Sequence, residues 1–282
     1  MKTILSFLFI ATFQFVFTQN NIKIAGHRGC RGLYPENSIL GFQKAIEFGA
    51  DAIEFDVVVN KDSQLVVSHE PYIDPTYCWD ANGNSPEKTK TLRIFNMNQD
   101  EVESFDCGSK QHPKFEEQIK LKTCKPLLKT VFDSVDFSGV TLLFEIKYKF
   151  GDTLNYPSVE SYANIVLNEA NASKYKSQIV FMSFDSAILN QIQKMDTTVK
   201  LVYLVFQPKR NVLSFMDDLS FKPYALGLFY PTIRKKKIQV LHKKGIQTYA
   251  WTVNSDKKAS KLIEAGIDVL ITDYPDRMTN LK

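Results

Sequence analysis

Short runs of β-branched and aromatic residues alternate along this chain with longer stretches of helical periodicity, and few folds accept that alternation. The runs are Ile22–Ala25, Ala52–Val59, Leu65–Ser68, Thr141–Lys147, Ile179–Ser183, Val199–Val205, Ala225–Phe229, Thr248–Val253 and Val269–Thr272. Nine strands are one too many for a closed eight-stranded barrel. The gap Asn60–Gln64 removes the excess, because a parallel crossover needs about a dozen residues and a hairpin about two to five. Leu65–Ser68 should therefore turn back antiparallel, returning His69 toward the end of the strand that carries Glu54 and Asp56. Eight parallel strands remain. The expected fold is α/β, a (β/α)8 TIM barrel with a segment inserted after His69.

Several gaps read as helices. Asn37-Ser38 can cap a helix running to Phe48, with Ile39, Leu40, Phe42, Ala45 and Ile46 on its buried side and Gly49 stopping it. Ser255-Asp256 opens another, which reaches Gly266. The stretch from His69 to Thr141 is out of proportion. Its Pro71, Pro75 and Asn82-Gly83-Asn84-Ser85-Pro86 cluster mark roughly 71–124 as an insertion, with Leu127–Val135 as the crossover helix. In barrels the loops after the strand C-termini build the active site, so this insertion is expected to cap substrate.

Met1-Lys2 precedes an apolar run from Ile4 to Phe17 and a polar exit at Thr18-Gln19-Asn20. That pattern predicts a secretory signal peptide over 1–19 and a mature domain over 20–282, exported to the periplasm or secreted. An uncleaved anchor is the other reading; the run is short for a span of about 20 residues. No later segment is expected to insert in a membrane. Over 282 residues, 35 Lys and Arg against 31 Asp and Glu leave an excess too mild for nucleic-acid binding. Arg234–Lys237 is a basic cluster that reads either as a solvated helix face or as a patch steering anions. Cys30, Cys78, Cys107 and Cys124 allow three pairings, which sequence does not rank, and free buried thiols stay open beside them. The oligomeric state is not readable.

Glu54 and Asp56 are spaced i, i+2 on a strand, which puts both on one face with Ile53, Phe55 and Val57 on the other. Acids inside an apolar strand ask for a partner or a cation. Glu145 ends the next barrel strand in the same way. Three inward carboxylates form an all-oxygen site suited to Ca²⁺ or Mg²⁺ over zinc. His27 and His69 end neighbouring strands beside that site and form a general acid/base pair. Arg28 and Lys147 flank the acids and could hold phosphate oxygens. His112 and His242 lie away from strand ends and are left out.

The run His27-Arg28-Gly29, Pro35-Glu36-Asn37-Ser38, Gly49-Ala50-Asp51, Glu54-Phe55-Asp56-Val57, Lys61-Asp62 and Val67-Ser68-His69 closely resembles the glycerophosphodiester phosphodiesterase family. Ser38 stands where threonine is commoner and Glu70 where aspartate is frequent. Asp106-Cys107-Gly108-Ser109, Glu145-Ile146-Lys147, Trp251-Thr252-Val253-Asn254 and Ile271-Thr272-Asp273-Tyr274-Pro275-Asp276 match as well. Lys125-Pro126-Leu127-Leu128 departs from the usual Ile-Pro-Thr-Leu, at a helix start expected to lie away from the chemistry. The resemblance implies a metal-dependent hydrolase that releases glycerol 3-phosphate and an alcohol from small glycerophosphodiesters. It implies His27 and His69 as catalytic residues, Glu54, Asp56 and Glu145 as ligands of one Ca²⁺ or Mg²⁺, and Arg28, Lys147 and Trp251 as substrate contacts. Lysophospholipase D-like and sphingomyelinase D-like phosphodiesterases are the neighbouring readings. An inactive barrel that binds a ligand is the reading from a different class.

Overall fold

Inward and outward residues of β2 (Ala52–Val59) face two different apolar environments, and the barrel is built around that division. In the computed structural model, which describes residues 22–87, 91–206 and 211–282, all eight residues of β2 are buried. The expected leader at 1–19 lies outside the described residues. Outward, Phe55 meets Phe42 at 5.9 Å, Phe144 at 5.2 Å and Phe132 at 6.4 Å between ring centroids. Inward, Ala52 joins Ala25, Leu143, Val180, Val202, Ala225, Tyr249 and Val269 in the lower barrel interior. The small alanines leave room for Tyr249, as a filled barrel of this size requires.

The strands follow in order: β1 (Lys23–Gly26), β2, β3 (Leu65–Val67), β4 (Thr141–Ile146), β5 (Ile179–Ser183), β6 (Leu201–Val205), β7 (Ala225–Phe229), β8 (Gln247–Trp251) and β9 (Val269–Thr272). Eight of them, all but β3, pair parallel in a ring that closes from β9 through β1 to β2. Strand β3 runs antiparallel to β2, with Val57 opposite Val67 and Val59 opposite Leu65. The hairpin reading of 60–64 is therefore correct. One edge of β2 serves two neighbours: Ala52 and Ile53 pair with β1, while Val57–Val59 pair with β3.

Helix α1 (Ile39–Glu47) begins at Ser38, whose hydroxyl accepts from the Gly41 amide, and buries Phe42 and Ala45 against the sheet. The 71–124 stretch holds a short 3-10 turn at Ile94–Asn96 and α2 (Gln99–Glu103), which opens with an Asn98/Glu101 capping box. Next come α3 (Leu128–Ser134), α4 (Val159–Ala172), α5 (Ser186–Met195), α6 (Lys235–His242), α7 (Asp256–Ala265) and α8 (Pro275–Met278). Helix α7 ends at Gly266, whose φ of 92° is left-handed and favours glycine. No helix among the described residues is long and apolar enough to cross a membrane.

The 71–124 stretch is tied down at three places. Gln118 donates to the carbonyls of Arg31 and Tyr34, beside the turn after β1. Trp79 and Asp106 pair as an antiparallel bridge, and Cys78 is bonded to Cys107. Cys30 and Cys124 are free thiols, so of the readings left open one bridge forms and two cysteines stay reduced. The bridge closes a loop of 29 residues, for which chain entropy gives roughly 3.5 kcal/mol of stabilisation. We expect Cys78→Ser/Cys107→Ser to lower the unfolding free energy by about that amount in urea melts. An unchanged midpoint would show that the bridge contributes nothing.

Candidate active site

Three carboxylates meet at the C-terminal mouth of the barrel because β2 and β4 are in parallel register. Asp56 pairs with Glu145, and Glu54 lies two residues earlier on the same inward face. Each of Glu54, Asp56 and Glu145 is buried, and each offers an oxygen within 4.8 Å of the others. Two of those oxygens, Glu54 Oε1 and Asp56 Oδ1, are buried without a hydrogen-bond partner. Buried carboxylate oxygens are rarely left so, and this trio fits a hard divalent cation.

The surrounding cations answer only part of this charge. Lys147 Nζ lies 2.5 Å from Glu145 Oε1 and 3.7 Å from Asp56 Oδ1. Arg28 Nε lies 3.4 Å from Asp56 Oδ2, while its Nη1 binds Glu36 Oε1 at 2.8 Å. The Arg28 amide donates to Glu54 Oε2 at 2.8 Å, and Asn37 Nδ2 donates to Asp56 Oδ2 at 3.0 Å. Burial, then the charges of Asp56 and Glu145, push the Glu54 carboxyl well above its ordinary pKa. Burial works against Asp56 too, yet His69, Arg28 and Lys147 hold it below the usual carboxylate value. Without a cation, the Glu54 carboxyl is biased toward its protonated form.

The turn after β1 is shaped to bring its backbone onto these acids. Arg28 and Gly29 both have positive φ, 50° and 85°, and a Cβ on Gly26 would collide with the Gly29 carbonyl oxygen. His27 Nδ1 shares a 2.6 Å hydrogen bond with Asp273 Oδ1, and its Nε2 lies 3.8 Å from Glu54 Oε2. Asp273 is itself held by Arg31 Nε at 2.8 Å and Asn254 Nδ2 at 2.6 Å. With Asp273 accepting at Nδ1, the free nitrogen of a neutral His27 is Nε2. Burial pulls the His27 pKa down to about 4, against the upward pull of Asp273, so the ring is neutral at ordinary pH.

His69 arrives on the returning hairpin arm, where the Ser68 amide bonds the Asp56 carbonyl at 3.0 Å. Its Nδ1 faces Glu70 Oε1 at 2.6 Å, and Tyr77 donates to Glu70 Oε2 at 2.7 Å. Both imidazoles thus hold a carboxylate at Nδ1 and leave Nε2 for other work. Lys125 was expected to lie apart from this region. Its buried Nζ instead reaches Ser68 Oγ at 2.9 Å and Tyr77 Oη at 3.1 Å.

Both histidines and two of the three carboxylates border one cavity of about 190 Å³. His27, Arg28, Arg31, Glu54, His69 and Glu145 form its charged side; Met182, Phe184, Leu204, Trp251 and Ile271 form the apolar side. Trp251 packs on Phe184 at 5.1 Å and on Phe229 at 5.5 Å, so it belongs to the cavity wall as well as to an aromatic cluster. Every residue singled out from sequence therefore lies at the site: Asp56 and Lys147 just behind the cavity surface, the others on it. His112 stacks on Tyr77 and packs tilted against Phe115, and His242 bonds Asp268 away from the cavity. Sequence reasoning missed Asp273, Glu70, Glu36 and Arg31. Asp273 had a signal, since it is an acid directly following the last strand.

The family model for the glycerophosphoryl diester phosphodiesterases matches residues 27–277. A glycerophosphodiester phosphodiesterase of Caldanaerobacter subterraneus subsp. tengcongensis is 32% identical, with 92% of this chain and 96% of that protein aligned. A lysophospholipase D of Rattus norvegicus is 25% identical over 89% of this chain and 83% of its own length. Among solved structures, an Oleispira antarctica phosphodiesterase in complex with the product sn-glycerol-3-phosphate superposes with a TM-score of 0.75 at 20% identity, covering 92% of this chain and 96% of that one. With the family match spanning the barrel from the first strand-end histidine to the last helix, this chain belongs to the glycerophosphoryl diester phosphodiesterase family.

Proposed function

We propose that this protein hydrolyses small glycerophosphodiesters to glycerol 3-phosphate and an alcohol by general acid–base catalysis. The observation behind the reading is the pairing, at one cavity, of two carboxylate-held imidazoles with three buried carboxylates. Glu54, Asp56 and Glu145 would hold one Ca²⁺ or Mg²⁺, which when bound neutralises phosphoryl charge and acidifies a nearby hydroxyl.

His27, neutral and open at Nε2, takes the proton of the glycerol hydroxyl adjacent to the phosphate. That oxygen attacks phosphorus and the bond to the departing alcohol breaks. His69, held at Nδ1 by Glu70, delivers a proton from Nε2 to the departing oxygen. Water then opens the cyclic phosphate with the two histidine roles reversed. Arg28 and Lys147, drawn toward the mouth by Asp56 and Glu145, hold the non-bridging oxygens. Met182, Phe184 and Trp251 keep water from the alcohol side.

A second reading, a lysophospholipase D-like activity, draws on the aromatic wall. Trp251 continues to Phe206, which is 57% exposed and 6.0 Å from it, so an apolar chain could leave the cavity along that side. Export is part of the proposal as well. The Cys78–Cys107 bridge suits an oxidising compartment, and the protein should be recovered from the periplasm or the medium on cell fractionation.

Purified protein should release glycerol 3-phosphate from glycerophosphocholine, lose that activity in EDTA and regain it with Ca²⁺ or Mg²⁺. His27→Ala and His69→Ala should each lower kcat about 10²–10⁴-fold. An analogue without the adjacent hydroxyl should not turn over; normal turnover would replace the cyclic route by direct attack of water. Release from lysophosphatidylcholine alone would favour the second reading.

The raised Glu54 carboxyl gives metal binding a defined pH dependence. The folded, metal-free protein keeps a proton there that the unfolded chain loses above about pH 4.5, so this group withdraws stability as pH rises from that value toward its folded pKa. A cation displaces that proton. Calorimetry in buffers of different ionisation enthalpy should therefore show net proton release on ion binding, with affinity and the metal-induced rise in Tm both increasing with pH. Glu54→Gln should abolish the proton release.

A further inference from the structure

Lys125 is a buried cation with no contact to the cavity, and the acid–base scheme leaves it without a task. It is 5% exposed and stands just before Pro126, whose carbonyl accepts from the Val67 amide. A lysine placed so deep needs a reason, because burying an ammonium is unfavourable unless its donors are satisfied. Its Nζ donates to Tyr77 Oη and to Ser68 Oγ. The Tyr77 hydroxyl passes its own hydrogen to Glu70 Oε2, and Glu70 Oε1 accepts from His69 Nδ1. Ser68 closes the loop by donating to the Glu70 carbonyl at 2.7 Å.

The direction of each bond matters. Lysine has only donors, so Tyr77 must accept from it and spend its single hydrogen on Glu70. Glu70 is left accepting on both oxygens, which leaves His69 Nδ1 no role except donor. Chains of this kind polarise one another, so the ammonium strengthens the phenol as a donor to the carboxylate. Tyr77 is fixed at the far side by its neighbour Cys78, bonded to Cys107. Its ring stacks on His112 at 5.7 Å and lies 5.0 Å from the Lys125 ammonium.

We propose that Lys125 is a positioning residue, holding His69 in one tautomer and one orientation through Tyr77 and Glu70. It touches neither substrate nor reacting atoms. The inference rests on the reading of His69 as the proton donor to the leaving alcohol. It also gives the 71–124 stretch a task, since Tyr77 is one of its residues.

The test pairs a spectroscopic readout with kinetics in three variants: Lys125→Met, which keeps the stem and removes the charge, Tyr77→Phe, which keeps the ring, and Glu70→Gln. In long-range ¹H–¹⁵N spectra recorded across pH, the neutral form of wild-type His69 should show a single tautomer protonated at Nδ1. Lys125→Met and Tyr77→Phe should mix the tautomers. For glycerophosphocholine, each should lower kcat about 10-fold or more with KM changed less than threefold. In the Glu70→Gln background, Lys125→Met should add less than a twofold further loss, because the link it acts through is already cut. A His69 spectrum unchanged by both Lys125→Met and Tyr77→Phe would overturn the proposal, as would losses that multiply across Glu70→Gln. Tyr77→Phe retains the side-chain packing, so a Lys125 variant that fails to fold leaves the question answerable. Mixed tautomers in a wild type inactive on every glycerophosphodiester would reject both ideas. A single responsive tautomer in an inactive wild type would reject the function and keep the positioning chain.

Discussion

Mutual repulsion among three carboxylates inside a closed barrel is the constraint that organises the site. At an effective dielectric of 20, two unit charges 4.8 Å apart repel by roughly 3.5 kcal/mol. No packing of Phe55 or Tyr249 removes that penalty, so the neighbouring structure is arranged to answer it. Arg28 and Lys147 turn inward, the Arg28 amide is bent onto Glu54 by a left-handed turn, and Asn37 reaches across from the start of α1. Two oxygens still lack partners, which leaves the trio short of positive charge in the way a metal centre is.

The same economy of charge recurs one layer out. Asp273 sits between His27, Arg31 and Asn254, and Glu70 between His69 and Tyr77. Each outer carboxylate is ionised because its partners overcome the effect of burial on it. The result is two imidazoles of fixed tautomer at one rim, reached by unrelated routes. One comes from the turn after β1 with a partner from the turn after β9. The other comes from a hairpin arm with its partner next in sequence.

Strand β2 was readable to the residue because its acids interrupt an apolar run at a spacing only a strand places on one face. The hairpin followed from chain length alone. Less certain ends came where the pattern outruns the pairing: Val199 continues an apolar run, yet β6 begins at Leu201, and β8 stops at Trp251 although Val253 prolongs its alternation. The histidines could be read because they follow strand ends, and the acids because they interrupt apolar strands on one face. The partners of Asp273 and Lys125 could not be read from periodicity, since each acts across a long stretch of sequence, and Glu36 lies in a turn that carries no periodicity. Lys125 looked like a helix-entry residue in a motif that had drifted, and only the packing of Tyr77 against it reveals its partner. The Cys78–Cys107 pairing likewise needed the fold, because four cysteines carry no order of preference.

The double allegiance of β2 divides the catalytic groups into two bodies. Glu54, Asp56 and His69 ride on β2 and its hairpin, which form one covalently continuous unit. His27 rides on β1, and β1 meets β2 through only two register pairs, Ala25 with Ala52 and Gly26 with Ile53. Slippage at that short seam would part the two imidazoles while leaving Glu54, Asp56 and His69 together. The barrel thus contains a mechanical joint running through its reaction centre, and the Arg28 amide on Glu54 is a clasp across it.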